Sequence, residues 1–234
     1  MLDIANLHAA YGHIKVLNGV TFQVPNGSIA TILGRNGSGR SSTCKAVMGL
    51  LPPSRGTVKL GGRELAGMPA HEIAHAGIGY VPEDRQIFRN LTVDENMTIG
   101  VKAGVSPRPA WTRDELYDVF PRLRERRNIK AGFLSGGEQQ MLTLFRSLLG
   151  NPDVMLIDEP TEGLAPKVID ALAETILEMK RRGLAILLLE QKLSMVMRLT
   201  DKVFVMGRGE IVFSGSVAEF QANDVVRSTW LEVS

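Results

Sequence analysis

Nine consecutive residues, GRNGSGRSS at 34–42, constrain this chain more than any other stretch. They follow the apolar run Ile29-Ala30-Thr31-Ile32-Leu33 and lead into a segment with helical spacing, so they read as a strand-to-helix turn. Gly34, Gly37 and Gly39 lack a Cβ, which lets the backbone curl with its N–H groups pointing inward at an anion. Arg35, Asn36 and Ser38 fill the loop between them. The helix opening near Arg40 adds unpaired N–H groups and the positive end of its dipole. The pattern is one residue away from the phosphate-binding motif G-x-x-x-x-G-K-[ST]. Ser41, followed by Ser42, stands where that motif needs a hydroxyl for Mg2+, and Arg40 stands where it needs a lysine. Taken alone, the loop could also be a glycine-rich turn that holds no ligand.

The surrounding chain sets bounds on partners. Its 234 residues are 44% hydrophobic, enough for one large α/β domain or one core with an inserted subdomain. A net charge of +2 argues against nucleic acid or an anionic membrane as a partner. Cys44 is the single cysteine, so an intrachain disulfide is excluded and a reducing cytosol is the expected compartment. The first dozen residues have neither a basic start nor a long apolar stretch, so no signal peptide is expected there. The longest aliphatic run, residues 185–189, is far too short to span a bilayer.

Along the chain, strands are expected over 2–4, 20–24 and 28–33, with Tyr11-Gly12 in the first turn. A helix over 41–51 should stop at Pro52-Pro53, followed by a strand over 57–60, a short helical piece over 73–76 and a strand over 77–81. Residues from about 84 to 150 carry mostly helix cues and predict an inserted helical subdomain. Thr112 and Glu115 form a capping box ahead of Leu116, Val119, Phe120 and Leu123 at helical spacing. The basic run over 122–130 reads as the solvated end of that helix, with a partner-contact surface as the alternative. Ser135 and Glu138 cap a second helix, which Gly150-Asn151-Pro152 stops. A buried strand over 154–157 runs into Asp158-Glu159, an amphipathic helix begins at Pro166, and a second buried strand over 185–189 ends at Glu190-Gln191. A hairpin around Gly207-Arg208-Gly209 and a helical tail from Ser216 complete the pattern.

Strands alternating with helices imply a mostly parallel sheet with its ligand beyond the carboxyl ends of the strands. Asp158 fits the acid that helps hold Mg2+ in phosphoryl transfer, and Glu159 fits the carboxylate that orients or deprotonates the attacking water. A polar strand end before a turn is the plain alternative.

With LSGGEQQ at 134–140 between the glycine loop and Asp158-Glu159, the chain resembles the ATP-binding subunit of ABC transporters over essentially its whole length. That resemblance implies one ABC-type ATP-binding domain over 1–234. It would have a P-loop NTPase core, an N-terminal antiparallel β subdomain and a helical subdomain at about 84–150. It implies ATP and Mg2+ as ligands. Tyr11 would stack on adenine, and Ser135, Gly136 and Gly137 would face the γ-phosphate bound by an opposite subunit. Residues 161–166 (TEGLAP) would link the two ATP sites. Ser41, Glu83 and Asp158 become the metal-associated residues, with Glu159 and Gln191 the catalytic pair.

The resemblance further implies a second, non-identical ATP-binding subunit, two transmembrane permeases and, indirectly, an extracytoplasmic solute-binding protein. The chain would then lie peripherally at the cytoplasmic face of the membrane. The strings GIGYVPEDRQIFRNLTVDENM at 77–97 and LLLEQKLSMVMRLTDKVFVM at 187–206 look most like subunits of branched-chain amino-acid importers. Glu83, Gln191 and Ala165 depart from the general family pattern, which has glutamine, histidine and aspartate there, but agree with that subgroup. Arg40 is a different departure. It keeps the charge but offers a planar fork in place of a compact ammonium, which predicts weakened hydrolysis more than weakened binding. The alternative to a transport ATPase is therefore a nucleotide-binding structural subunit paired with a competent partner.

Overall fold

Leu2, Ile4, Leu7 and Ala9 point to one side of a long first strand, and this face, buried throughout, starts the fold. The computed structural model describes residues 1–102 and 108–231. In chain order the elements begin with β1 (Leu2–Tyr11), β2 (Ile14–Val24), β3 (Ile29–Leu33) and α1 (Arg40–Val47). β4 (Pro53–Leu60), β5 (Arg63–Glu64), α2 (Ala70–His75) and β6 (Ile78–Val81) follow. The helices α3 (Val93–Gly100), α4 (Arg113–Val119), α5 (Pro121–Glu125) and α6 (Gly136–Leu148) occupy the middle of the chain. Then come β7 (Val154–Asp158), α7 (Pro166–Arg181), β8 (Ala185–Leu189), α8 (Leu193–Leu199), β9 (Lys202–Gly207) and β10 (Glu210–Ser216). The described chain closes with α9 (Val217–Gln221) and α10 (Asp224–Trp230), while residues 232–234 of the expected helical tail lie outside the described residues.

Two sheets result. A four-stranded antiparallel sheet has the order β2-β1-β4-β5, and a six-stranded sheet has the order β10-β9-β3-β8-β7-β6. In the second, β9, β3, β8, β7 and β6 run parallel and only the edge strand β10 is antiparallel. Both faces of the parallel sheet are covered, as its continuous apolar strands require. Along β7, Val154 and Leu156 pack with β1, β2 and α1 on one side, whereas Met155 and Ile157 pack with α6 and α7 on the other. Among the described residues no strand lies between β6 and β7, and four α-helices and a short 3-10 helix (Ala131–Phe133) fill that span.

Three expectations need correction. The first hairpin is far longer than 2–4 and 20–24, because β1 is held on both sides, by β2 and by β4. Tyr11 is accordingly the last residue of β1, paired with Ile14, and the turn itself is Gly12-His13. The helix after Thr112 is not continuous: it breaks at Phe120, φ −136°, where Pro121 starts a new helix. The basic run is solvated as expected, with Arg122, Arg124, Arg127 and Lys130 exposed, but several of its members are ion-paired. Arg122 and Arg126 both reach the nearly buried Glu138, and Arg124 pairs with Asp118.

The parallel register brings three strand ends to one level. Leu189 at the end of β8 is level with Ile32 on β3 and with Asp158 on β7. The loops beyond those adjacent ends carry the glycine-rich segment, Glu159 and Gln191.

Candidate active site

Gly39, with φ 110°, caps α1 without any side-chain hydrogen bond, so the first-turn N–H groups of this helix stay open toward the loop. A Cβ there would meet the Val16 carbonyl at 2.9 Å, so only glycine lets the loop lie this close to β2. Ser38 Oγ is buried and has no hydrogen-bond partner, an orphaned polar atom inside the curl of the loop. Residues 36–42 together with Val16, Glu83, Glu159, Glu162, Glu190 and Gln191 line a cleft of about 640 Å3. Gly34 and Arg35 line the adjoining cleft, shared with Asn36, Gln191 and Arg227.

Arg40 is buried in the wall of the cleft. Its guanidinium is 4% exposed, with Nη2 donating to Glu159 Oε1 at 2.6 Å and Nη1 donating to the Glu190 carbonyl at 3.2 Å. Glu159 is 12% exposed, and its backbone, φ 44°, sits in the left-handed region as the chain leaves β7. Gln191 Nε2 donates to both Glu159 oxygens at 2.8 Å and to Asn36 Oδ1 at 2.9 Å. One carboxylate therefore holds the guanidinium of one loop and the amide of another.

Beside it, Ser41 Oγ donates to Asp158 Oδ1 at 3.2 Å and the Tyr80 hydroxyl to Oδ2 at 3.5 Å. Burial pushes the Asp158 carboxyl up to about 6; the Ser41 hydroxyl and Arg40 pull it down, while the charges of Glu159 and Glu83 push the same way as burial. Burial is also the main cause that raises the Tyr80 phenol, with Asp158 adding to it. Among the described residues Asp158 forms no ion pair, and it sits beside the Ser41 hydroxyl, a donor set of the hard kind that Mg2+ takes. Carboxylate oxygens of Glu83, Glu159 and Glu162 lie within 4.8 Å of one another nearby, adding to the local negative potential.

Other residues singled out in the sequence stand apart. Tyr11 is 46% exposed at the end of β1 and does not line the cleft. Ser135, Gly136 and Gly137 do not line it either; they begin α6, where the Ser135 N–H donates to Glu138 Oε2 at 2.7 Å. Gly137 is pressed against α7, since a Cβ there would meet Val168 Cγ2 at 2.9 Å. Within one copy of the chain, the glycine loop and the LSGG segment do not share a cleft. Sequence reasoning does not find Val16, Thr161 as a side chain, or Glu190. Only the Glu-Gln step at the end of β8 hints at the last of these.

The comparisons agree with this architecture. The family model described as "ABC transporter" matches residues 17–162. A high-affinity branched-chain amino acid transport ATP-binding protein of Pseudomonas aeruginosa is 36% identical over 99% of both chains. A lipopolysaccharide export system ATP-binding protein of Haemophilus influenzae is 30% identical over 99% of this chain and 97% of its own. A solved ATP-binding subunit of an ABC transporter superposes with a TM-score of 0.83 at 29% identity, covering 99% of this chain and 96% of the other. The chain belongs to the ABC transporter family and is one of its ATP-binding domains.

Proposed function

We propose that this chain binds ATP with Mg2+ and hydrolyses it to drive a transport cycle, in an importer of branched-chain amino acids or a related small solute. The observation that carries the chemical part is the convergence of three loops at the level strand ends: the open glycine loop, Asp158 beside Ser41, and Glu159 held by Gln191. The open N–H groups of the loop and of α1 receive the phosphates. Ser41 and Asp158, with Glu83 nearby, would hold Mg2+, which when bound neutralises charge on the β- and γ-phosphate oxygens. Glu159 accepts the proton of the water that attacks the γ-phosphorus, Gln191 fixes the direction of that carboxylate, and the bond to the ADP oxygen breaks. Tyr11 supplies an aromatic face for adenine.

Ser135, Gly136 and Gly137 lie away from this cleft, so they serve the site of a second subunit in a head-to-tail pair, which a non-identical paralogue fits. No described helix is long and apolar enough to cross a membrane. The chain then works peripherally, on the cytoplasmic face, against two permeases, with a solute-binding protein on the far side. The 36% identical relative supports the solute. The Arg40–Glu159 ion pair favours one further reading, a subunit that binds nucleotide but leaves most of the chemistry to its partner.

ATP turnover of the complex carrying Glu159→Gln in this subunit alone decides between the two. A loss of about a hundredfold or more, the scale of a missing general base, supports catalysis here, and unchanged turnover supports the structural role. Uptake of labelled leucine in cells lacking this chain tests the solute, and undiminished uptake removes the amino-acid reading.

A further inference from the structure

We infer that Glu190 is a positioning residue that ties the loop beginning at Thr161 to the loop carrying Gln191, so that the two move as one piece during ATP hydrolysis. The inference rests on the ATPase reading above. Glu190 is 3% exposed, and among the described residues no side-chain cation bonds to its carboxylate. Its charge is met instead by three donors from two separate loops. The Thr161 hydroxyl donates to both oxygens, at 2.9 and 3.0 Å, and the backbone N–H groups of Gln191 and Lys192 donate to Oε1 at 3.1 Å each. A second tie runs the other way, from Lys192 Nζ to the Thr161 carbonyl at 3.1 Å.

A buried carboxylate is costly unless hydrogen bonds satisfy it, and it is retained here at a junction rather than in a core. Thr161 follows Glu159 by two residues, and Gln191 follows Glu190 directly. The direction of the Gln191 amide onto Glu159 is therefore set by the backbone that Glu190 grips. The side chain of Glu190 makes no hydrogen bond to the glycine loop among the described residues; its backbone carbonyl accepts from Arg40. Changing the side chain should thus disturb the alignment of Glu159 and leave nucleotide binding in place.

The test uses the complex purified with its membrane partners, measuring ATP turnover and thermal unfolding. Glu190→Gln keeps the shape but replaces one acceptor oxygen with an amide donor, and charge-assisted hydrogen bonds are about twice as strong as neutral ones, so we expect kcat to fall about tenfold. KM for ATP should stay within about twofold and the unfolding midpoint within about 2 °C. Thr161→Val should reproduce the loss, Thr161→Ser should restore it, and the pair Glu190→Gln with Thr161→Val should be no worse than either alone. Wild-type kcat in both single variants, a serine no better than valine, losses that multiply in the pair, or losses that track a falling midpoint would each overturn the inference. Absence of turnover in the unmodified complex refutes the ATPase reading itself, and the inference with it.

Discussion

Arg40→Lys is the substitution that probes this site most directly. The guanidinium lies 2.6 Å from the Glu159 carboxylate, with both groups almost fully buried. At an effective dielectric constant of about 20 the gross attraction at that distance is about 6 kcal/mol, of which desolvation offsets a large part. To face a phosphate, the single guanidinium must give up some of that contact, or serve both anions from a compromise position. If only about 1.4 kcal/mol of the conflict survives at the transition state, hydrolysis is slowed tenfold, and a misplacement of about 1 Å would cost nearer a hundredfold. Lysine carries the same charge on one nitrogen and cannot bridge the Glu190 carbonyl and Glu159 as the fork does. We therefore expect Arg40→Lys to raise the single-turnover rate about ten- to a hundredfold while nucleotide affinity changes by less than about threefold. Rapid-quench hydrolysis beside equilibrium binding of a fluorescent ATP analogue measures both quantities. Equal single-turnover rates in the two proteins would refute the reasoning, as would a gain carried entirely by tighter binding.

Two further outcomes concern stability. Burial opposes the ionised Glu138 carboxylate, but hydrogen bonds from Ser135 and Arg126 outweigh it and hold its pKa below the usual glutamate value. A depressed folded pKa means stability that is present above the unfolded value near 4.5 and lost as pH falls through the folded value. Glu138→Gln should then be less stable than the unmodified chain at pH 7, by about 1–2 kcal/mol in urea unfolding, with the gap closing toward pH 3; a gap independent of pH would contradict this. Phe145, fully buried on α6 between the helices and the parallel sheet, should cost about 3–5 kcal/mol as Phe145→Ala, and a loss under 1 kcal/mol would mean the helical layer packs loosely.

How much of the molecule is legible in its sequence depends on the range of the interactions involved. The glycine loop, the Asp158-Glu159 step and the buried strands β3, β7 and β8 announce themselves locally, through glycine spacing and unbroken apolar runs. The full length of β1 does not. Asn6, with φ 51°, breaks the register of the pairing with both neighbours, and Ala9-Ala10 are poor strand formers; the strand continues through them because β2 and β4 flank it. The capping box at Thr92 and Glu95 is written in local letters but is inconspicuous, because the apolar pattern behind it is short. The role of Glu190 is barely hinted at by its place at the end of β8, since its meaning lies in a hydroxyl 29 positions earlier in the chain. The Arg40–Glu159 contact likewise joins residues 119 apart, so a sequence shows the unusual arginine but not what it grips.

The arginines gathered around Glu138 have an effect at the start of α6. A carboxylate at the third helical position is a good cap, but by itself it would screen the positive pole of the helix and repel any anion approaching from outside. Arg126, at 2.9 Å from the same oxygen that accepts from the Ser135 N–H, and Arg122, at 3.3 Å from the other, offset that charge. The cap keeps its hydrogen bonds, while the two guanidinium groups counter the charge that would otherwise oppose the helix dipole. A chain with the same LSGG letters but without the two arginines would leave that carboxylate without ion-pair partners beside the helix start.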